Sequence, residues 1–200
     1  MQYKKEELKA FILENAEREF LKKGYQNASL RTIAKNSGTT IGNLYHYFEN
    51  KEALFGELVG REYEMFLYLL NHHTDMSIPS DITETSDIRV WRAFLLKWLE
   101  SMMPAYTNRF YILLEKSAGS SYQDTKHRFV ELMAEHFNEH MDQRQITVTP
   151  GLANVIAEQL ICGVLYVIAH YEDAIQRREL ICDTLIFCVA GMIKLFEQQG

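Results

Sequence analysis

Apolar residues recur every three or four positions along most of this 200-residue chain, and short polar stretches separate the runs. This period is that of an amphipathic α-helix, and a content of only 3 Pro and 10 Gly permits long helices. The breaks at 74–86 and 147–151 are predicted loops. The helices predicted outside the region 29–50 cover 3–23, 51–71, 87–103, 106–118, 121–141, 152–171 and 174–198. The pattern therefore predicts an all-α protein.

The region 29–48 has the pattern of two short helices joined by a sharp turn. Ala34, Gly38 and Leu44 supply a small contact residue, a residue that tolerates positive φ and an inward-facing anchor. That spacing is typical of a helix-turn-helix, and the alternative is a plain αα-corner inside a bundle. The predicted caps are Ser29 for the first helix and Thr40 or Thr39 for the second. The residues of 3–23 expected to cover this pair are Leu8, Phe11, Ile12, Ala16 and Phe20.

The last two predicted helices are apolar on more than one face. One stripe of the first contains Val155, Leu160 and Val164, and another contains Ile161 and Leu165. A helix that is apolar nearly all round is buried on both sides. In a chain of this length one side can face the domain core, and the other favours a second subunit. The sequence therefore predicts a homodimer through these two helices, the alternative being a fully internal helix pair.

The stretches 28–34 and 42–54 together resemble the DNA-binding segment of the TetR family of bacterial regulators. The specific part is the run Leu-Tyr-x-x-Phe-x-x-Lys-x-x-Leu, formed by Leu44, Tyr45, Phe48, Lys51 and Leu54. The resemblance covers about the first quarter of the chain. It implies a three-helix DNA-binding domain over 1–50, followed over 51–200 by a larger helical domain for effector binding and dimerisation.

The residues predicted to contact DNA surround the second short helix. Thr40 and Asn43 are expected to read bases, and Ile41 to meet a thymine methyl group. Ile41 departs from the family pattern, in which a lysine is common. Tyr45, His46 and Lys51 are expected to hold phosphates, and Ser29 or Arg31 to add another contact. Thr39 is a further predicted DNA-binding residue, suited to base edges or phosphates.

A second candidate site lies in the aromatic and methionine-rich part of the chain. The TetR resemblance implies that helices following the DNA-binding domain enclose a small-molecule pocket, and such side chains suit an apolar ligand with a few polar groups. Each of them is, taken alone, also an ordinary core residue. The predicted effector-binding residues are Trp98, Met102, Tyr106, Trp91 and Phe110.

The charge distribution agrees with one nucleic-acid-binding end. The chain has a net charge of −6, but residues 1–60 hold 9 Lys and Arg against 8 Asp and Glu, hence +1. The remaining residues hold 12 against 19, hence −7. Because a local footprint rather than the total governs DNA binding, a modest salt dependence is expected.

Other classes of protein find little support in the sequence. We expect no cofactor, no metal site and no catalysis, since there is no glycine-rich phosphate loop and no Glu-x-x-His pair; His136 and His140 are expected to be solvated. No secretory signal is evident, and the uncharged run 160–169 is too short for a membrane span. Three cysteines in apolar sequence favour reduced, buried thiols and a cytoplasmic location.

These patterns together predict a ligand-responsive transcriptional regulator, most simply a repressor. It would bind a palindromic operator as a homodimer and be released by a small hydrophobic or amphipathic effector that tilts the helix beginning near Lys51. The alternatives are a TetR-fold protein acting mainly through protein–protein contacts with DNA as a tether, and a helical-bundle enzyme or carrier.

Overall fold

The computed structural model describes residues 2–72, 87–102, 107–143 and 147–197, and no strand occurs among them. The all-α prediction is therefore confirmed for the described residues. The predicted loop at 74–86 lies outside them. The helices are α1 (Gln2–Asn27), α2 (Leu30–Asn36), α3 (Ile41–Tyr45), α4 (Lys51–His72), α5 (Ile88–Met102), α6 (Asn108–Glu115), α7 (Thr125–Gln143), α8 (Leu152–His170) and α9 (Ala174–Glu197).

The chain forms two compact units of packing. The first contains residues 1–65 and 107–126, and the second contains residues 66–106 and 127–200. The segment 107–126 thus packs with the N-terminal helices, although it lies far along the chain. The functional division at residue 50 that the sequence suggests stays a prediction.

The core of the first unit is built on α1. Helix α1 packs on α2 and on α6, α2 packs on α3, and Phe20 of α1 meets Phe55 of α4. Burying the apolar stripe of α1 stabilises the two short helices, which would be marginal alone. The residues with no exposed surface include Ile12, Ala16, Phe20, Ile33, Leu44, Leu54, Phe55 and Leu58.

An aromatic cluster joins the end of α1 to α4 within this unit. The rings of Phe20 and Tyr25 each meet Phe55 edge-on at 5.0 Å between centroids. Tyr122 adds a further contact, 5.9 Å from both Phe55 and Tyr63. Such aromatic pairs contribute about 0.5–1.5 kcal/mol each beyond the area that they bury.

Three details of the first unit differ from the prediction. Helix α1 does not stop at residue 23: Gly24, at φ 70°, makes a kink, and a further turn continues to Asn27. Phe11, expected in the core, is 53% exposed. Helix α7 begins at Thr125 and not at residue 121, where the backbone N–H and the hydroxyl of Ser121 both donate to Glu52.

The second unit is organised around α8 and α9. These two helices pack together, and α5 packs on α9. Gly163 permits the close approach, since an added Cβ would lie 3.3 Å from Thr184 Cγ2. Phe66 and Phe129 stack at 3.7 Å, and Arg92 Nε lies 3.0 Å from Asp183 Oδ1.

Helix α8 is long and apolar enough, by length and composition alone, to cross a membrane. Eight of its residues are nevertheless buried within the second unit, from Ala153 to Ile168. A core helix of a folded domain passes the same test, so the burial accounts for its apolar character.

The cysteines do not all follow the prediction of buried thiols. Cys182 is buried and Cys188 half-buried, but Cys162 is exposed. Burial raises the pKa of both the Cys182 and the Cys188 thiol, which disfavours the reactive thiolate.

Candidate nucleic-acid interface

The region 29–48 folds as a helix-turn-helix whose caps are those expected from the sequence. Ser29 caps α2, with its Oγ 3.4 Å from the N–H of Thr32. Gly38 makes the turn at φ 67°. Thr40 caps α3, with its Oγ1 3.1 Å from the N–H of Asn43. Each cap satisfies a backbone donor that the first turn of a helix leaves unpaired.

One side of this motif is buried in the core, and the other, called the open side below, carries the exposed residues Arg31, Thr40, Tyr45 and His46. Ala34 and Leu44 are 1% and 0% exposed, as the helix-turn-helix prediction requires. Ser37 fixes the turn, since its hydroxyl donates to the carbonyl of Ile33 at 2.8 Å. Of the predicted DNA-contacting residues, those that are exposed are Arg31, Thr40, Tyr45 and His46, and those that are half-buried are Ser29, Thr39, Ile41, Asn43 and Lys51. None of them is in the core.

Within the described residues, the open side has a small surplus of positive charge. Arg31 and Lys35 are exposed on α2 and form no ion pair there, whereas Lys9 is paired with Glu57 and Arg18 with Glu14. Pairing neutralises the latter two cations, whereas Arg31 and Lys35 stay unpaired on α2 within the described residues.

Lys51, predicted to hold a phosphate, has partners inside the protein. Its Nζ lies 3.2 Å from the carbonyl oxygens of both Gln26 and Ala28 and 4.6 Å from the centroid of the Tyr25 ring. The lysine therefore joins the start of α4 to the last turn of α1 and to the segment between α1 and α2. That Lys51 contacts DNA stays a prediction. No pattern in the sequence indicated its hydrogen bonds to Gln26 and Ala28.

The neighbouring Glu52 joins the start of α4 to Ser121 within the first unit. Its Oε1 accepts from the N–H of Ser121 at 2.9 Å. Burial by itself would raise the pKa of Glu52, but hydrogen bonds from Ser121 and Tyr25 outweigh it and lower the pKa. Burial, together with the hydrogen bond and charge of Glu52, raises the pKa of Tyr25 to about 12.

Glu62 is a buried carboxylate that the sequence analysis did not single out. It is 3% exposed, Oε1 accepts from the Thr107 hydroxyl at 3.1 Å, and Oε2 has no hydrogen-bond partner among the described residues. Burial raises its pKa, although Thr107 and the charge of Arg109 oppose this. The signal was present: Glu62 follows Leu58 and Val59 at helical spacing on the buried face of α4.

The predicted effector residues are only partly described. Trp91 is half-buried in the second unit, and Phe110 is 3% exposed in the first. Trp98 and Met102 lie on α5, but their side chains are outside the described part of the structure, as is all of Tyr106. Their shared role in a pocket stays a prediction.

An exposed recognition-type helix on a three-helix core defines a DNA-binding domain of the helix-turn-helix class. Residues 12–58 match the family model described as bacterial regulatory proteins, tetR family. The protein thus carries the N-terminal segment of the TetR family, and the resemblance seen in the sequence is confirmed.

Similar proteins extend this likeness beyond the motif. The biofilm operon icaADBC HTH-type negative transcriptional regulator IcaR of Staphylococcus epidermidis is 25% identical over 126 residues, which are 62% of this chain and 63% of that protein. The aligned region spans less than two thirds of the length of each curated relative matched. These relatives are named as transcriptional regulators and not as enzymes, in agreement with the prediction.

Solved structures share the fold over most of the chain. A TetR-family transcriptional regulator from Bordetella parapertussis 12822 has a TM-score of 0.62 at 15% identity, covering 90% of this chain and 93% of that one. The crystal structure of AibR in complex with isovaleryl coenzyme A and operator DNA has a TM-score of 0.50 at 21% identity, covering 90% of this chain and 96% of that one. At such identities the likeness establishes the fold: an N-terminal helix-turn-helix domain followed by a larger helical part.

Proposed function

We propose that this protein is a cytoplasmic transcriptional repressor that binds a palindromic DNA operator as a homodimer and is released by a small hydrophobic or amphipathic effector. The observation that carries the proposal is the open side of the helix-turn-helix. There α3 is capped, anchored through Leu44 and free of core packing on the side of Thr40 and Tyr45.

The proposed contacts to DNA are supported by the burial of these residues, none of which lies in the core. Thr40, Asn43 and Ile41 are the base-reading set, because they begin α3, the part of a recognition helix that enters the major groove. Arg31, Tyr45 and His46 are exposed beside them and supply phosphate contacts. With few unpaired cations on this side, binding should depend only moderately on salt.

Dimerisation is supported by apolar side chains exposed on the last two helices. Val155 and Tyr166 on α8 are 53% and 58% exposed, and Phe187 on α9 is 82% exposed. On α8 the exposed positions Val155, Cys162 and Tyr166 fall on one helical face. A second copy of the same face would cover them. The resulting twofold axis would present two α3 helices to half-sites about 34–36 Å apart.

Binding of an effector is supported by the likeness to one regulator, AibR, and release from DNA is part of our proposal. AibR was crystallised with isovaleryl coenzyme A together with operator DNA. A ligand would act by binding more tightly to the conformation that cannot match the spacing of the half-sites. Lys51 opens α4 with bonds to Gln26 and Ala28, so a tilt of α4 would be passed to the helix-turn-helix.

The proposal is tested by selecting binding sites from a library of random DNA duplexes with the purified full-length chain. We expect enrichment of one palindromic sequence, bound by two protomers, and weaker binding by Tyr45→Ala with an unchanged oligomeric state. Repression of a reporter that carries the enriched site, measured with and without candidate ligands, then tests the effector. Failure to enrich any duplex would refute the regulator assignment.

A further inference from the structure

The side chain of Asn43, near the start of α3, forms a hydrogen bond that is not part of the cap at Thr40. Its backbone N–H donates to Thr40 Oγ1 at 3.1 Å, which completes the cap. Separately, its side-chain Nδ2 donates to Thr39 Oγ1 at 2.8 Å. Both residues are half-buried, and Asn43 Oδ1 accepts no hydrogen bond from any described residue.

This bond matters because it restrains the position of the Asn43 side chain relative to α3. The torsion that turns an asparagine amide plane is broad, so without a partner the side chain would sample many positions of that plane. An NH₂ group has two protons, and only one of them is given to Thr39. The amide oxygen and the remaining proton are then still available as one acceptor and one donor.

Among the bases, adenine presents the matching pair in the major groove. Its N6 amino group donates and its N7 accepts, which is the geometry that an asparagine amide binds with two hydrogen bonds. Guanine presents two acceptors at the same place, and thymine presents an acceptor and a methyl group. An amide fixed by Thr39 would therefore prefer adenine.

We propose that Thr39 is a specificity-determining positioning residue: it orients the Asn43 amide so that Asn43 reads an adenine in each half-site of the operator. This inference rests on the proposed DNA-binding function. Thr39 itself need not touch a base, since it acts through Asn43, and its own hydroxyl proton is left to donate elsewhere.

The test uses the duplex enriched from the random library by the full-length chain. Each position of that duplex is changed to all four base pairs, and affinities are measured by fluorescence anisotropy for four proteins: wild type, Asn43→Ala, Thr39→Val and the matched control Thr39→Ser. Thr39→Val removes the hydroxyl at nearly constant volume, whereas Thr39→Ser keeps it.

We expect one A·T pair per half-site at which wild type discriminates against G·C by roughly tenfold or more, as a bidentate base contact allows. Asn43→Ala should abolish that preference, Thr39→Val should reduce it at least threefold, and Thr39→Ser should retain it. Preferences at the other positions should stay as in wild type. A purely structural role for Thr39 would instead weaken binding to all duplexes equally.

The outcomes are distinct. If wild type enriches no duplex, the regulator assignment fails and this inference with it. If a duplex is enriched but the base pair sensitive to Asn43 is G·C, or none is sensitive, the reading of adenine is overturned. If Thr39→Val discriminates as well as wild type, Thr39 does not position the amide.

Discussion

Replacement of Lys51 by methionine tests the internal role of this lysine. Methionine keeps an unbranched stem but loses both hydrogen bonds, to Gln26 O and Ala28 O, and the cation over Tyr25. Hydrogen bonds from charged groups contribute about 1.5–3 kcal/mol. Because the site is half-exposed we take about 1.5 kcal/mol for the pair, and about 0.5 kcal/mol for the cation–π contact.

One effect opposes this loss. A lysine in the first turn of α4 is disfavoured by the helix dipole, so its removal regains about 0.3–0.5 kcal/mol. The net loss is then about 1.5 kcal/mol, which lowers the Tm of a chain of this size by roughly 3–6 °C.

The assay is thermal unfolding followed by circular dichroism, with Lys22→Met as the matched control. Lys22 is exposed on α1 and makes no hydrogen bond or ion pair within the described residues, so its Tm should stay near that of wild type. If Lys51→Met and Lys22→Met unfold at the same Tm, the hydrogen bonds of Lys51 do not stabilise the helix-turn-helix. A role confined to DNA phosphates would then be favoured.

Three further predictions follow from burial and charge. Leu44→Ala should lower the free energy of unfolding in urea by about 2–5 kcal/mol, because Leu44 has no exposed surface. Tyr45→Ala, at an exposed position, should stay within about 0.5 kcal/mol of wild type, and equal losses in the two variants would contradict the assigned faces of α3. Phe187→Glu should shift sedimentation toward the monomer, whereas Asn138→Glu, at an exposed position on α7, should not; an unchanged dimer would exclude Phe187 from the interface. Burial raises the pKa of Glu62 above 4.5, so the folded state binds more protons than the unfolded state, and the free energy of unfolding falls as pH rises from about 4.5 through the raised pKa. The free energy of unfolding of Glu62→Gln, relative to wild type, should therefore be greater at pH 8 than at pH 5. An equal difference at the two pH values would refute the raised pKa.

The helix-turn-helix could be predicted because its determinants are local. The caps Ser29 and Thr40 and the turn at Gly38 each act within four residues, and the structure has all three where the sequence places them. The anchor Leu44 is similarly indicated by its spacing from Gly38. These signals are enough to fix both short helices and which side of α3 faces the core.

Contacts between distant parts of the chain could not be predicted in this way. At the kink of α1 beside Gly24, the Tyr25 N–H leaves the helix and donates to the Lys116 carbonyl at 2.7 Å, across more than ninety residues of sequence. The partners of Lys51 lie 23 and 25 residues away, and no periodicity marks them. The hydrogen bond from Asn43 to Thr39 spans four residues, but it runs outside the regular helix and carries no composition signal.

The central claim, that the open side of α3 meets duplex DNA, is tested most directly by photo-crosslinking. A benzophenone side chain replaces Tyr45, which is 50% exposed, or Tyr68, a matched aromatic on α4 that is 54% exposed. After irradiation with the enriched duplex, we expect protein–DNA adducts from position 45 and none from position 68. Duplex binding without adducts from position 45, or with adducts only from position 68, would contradict the account.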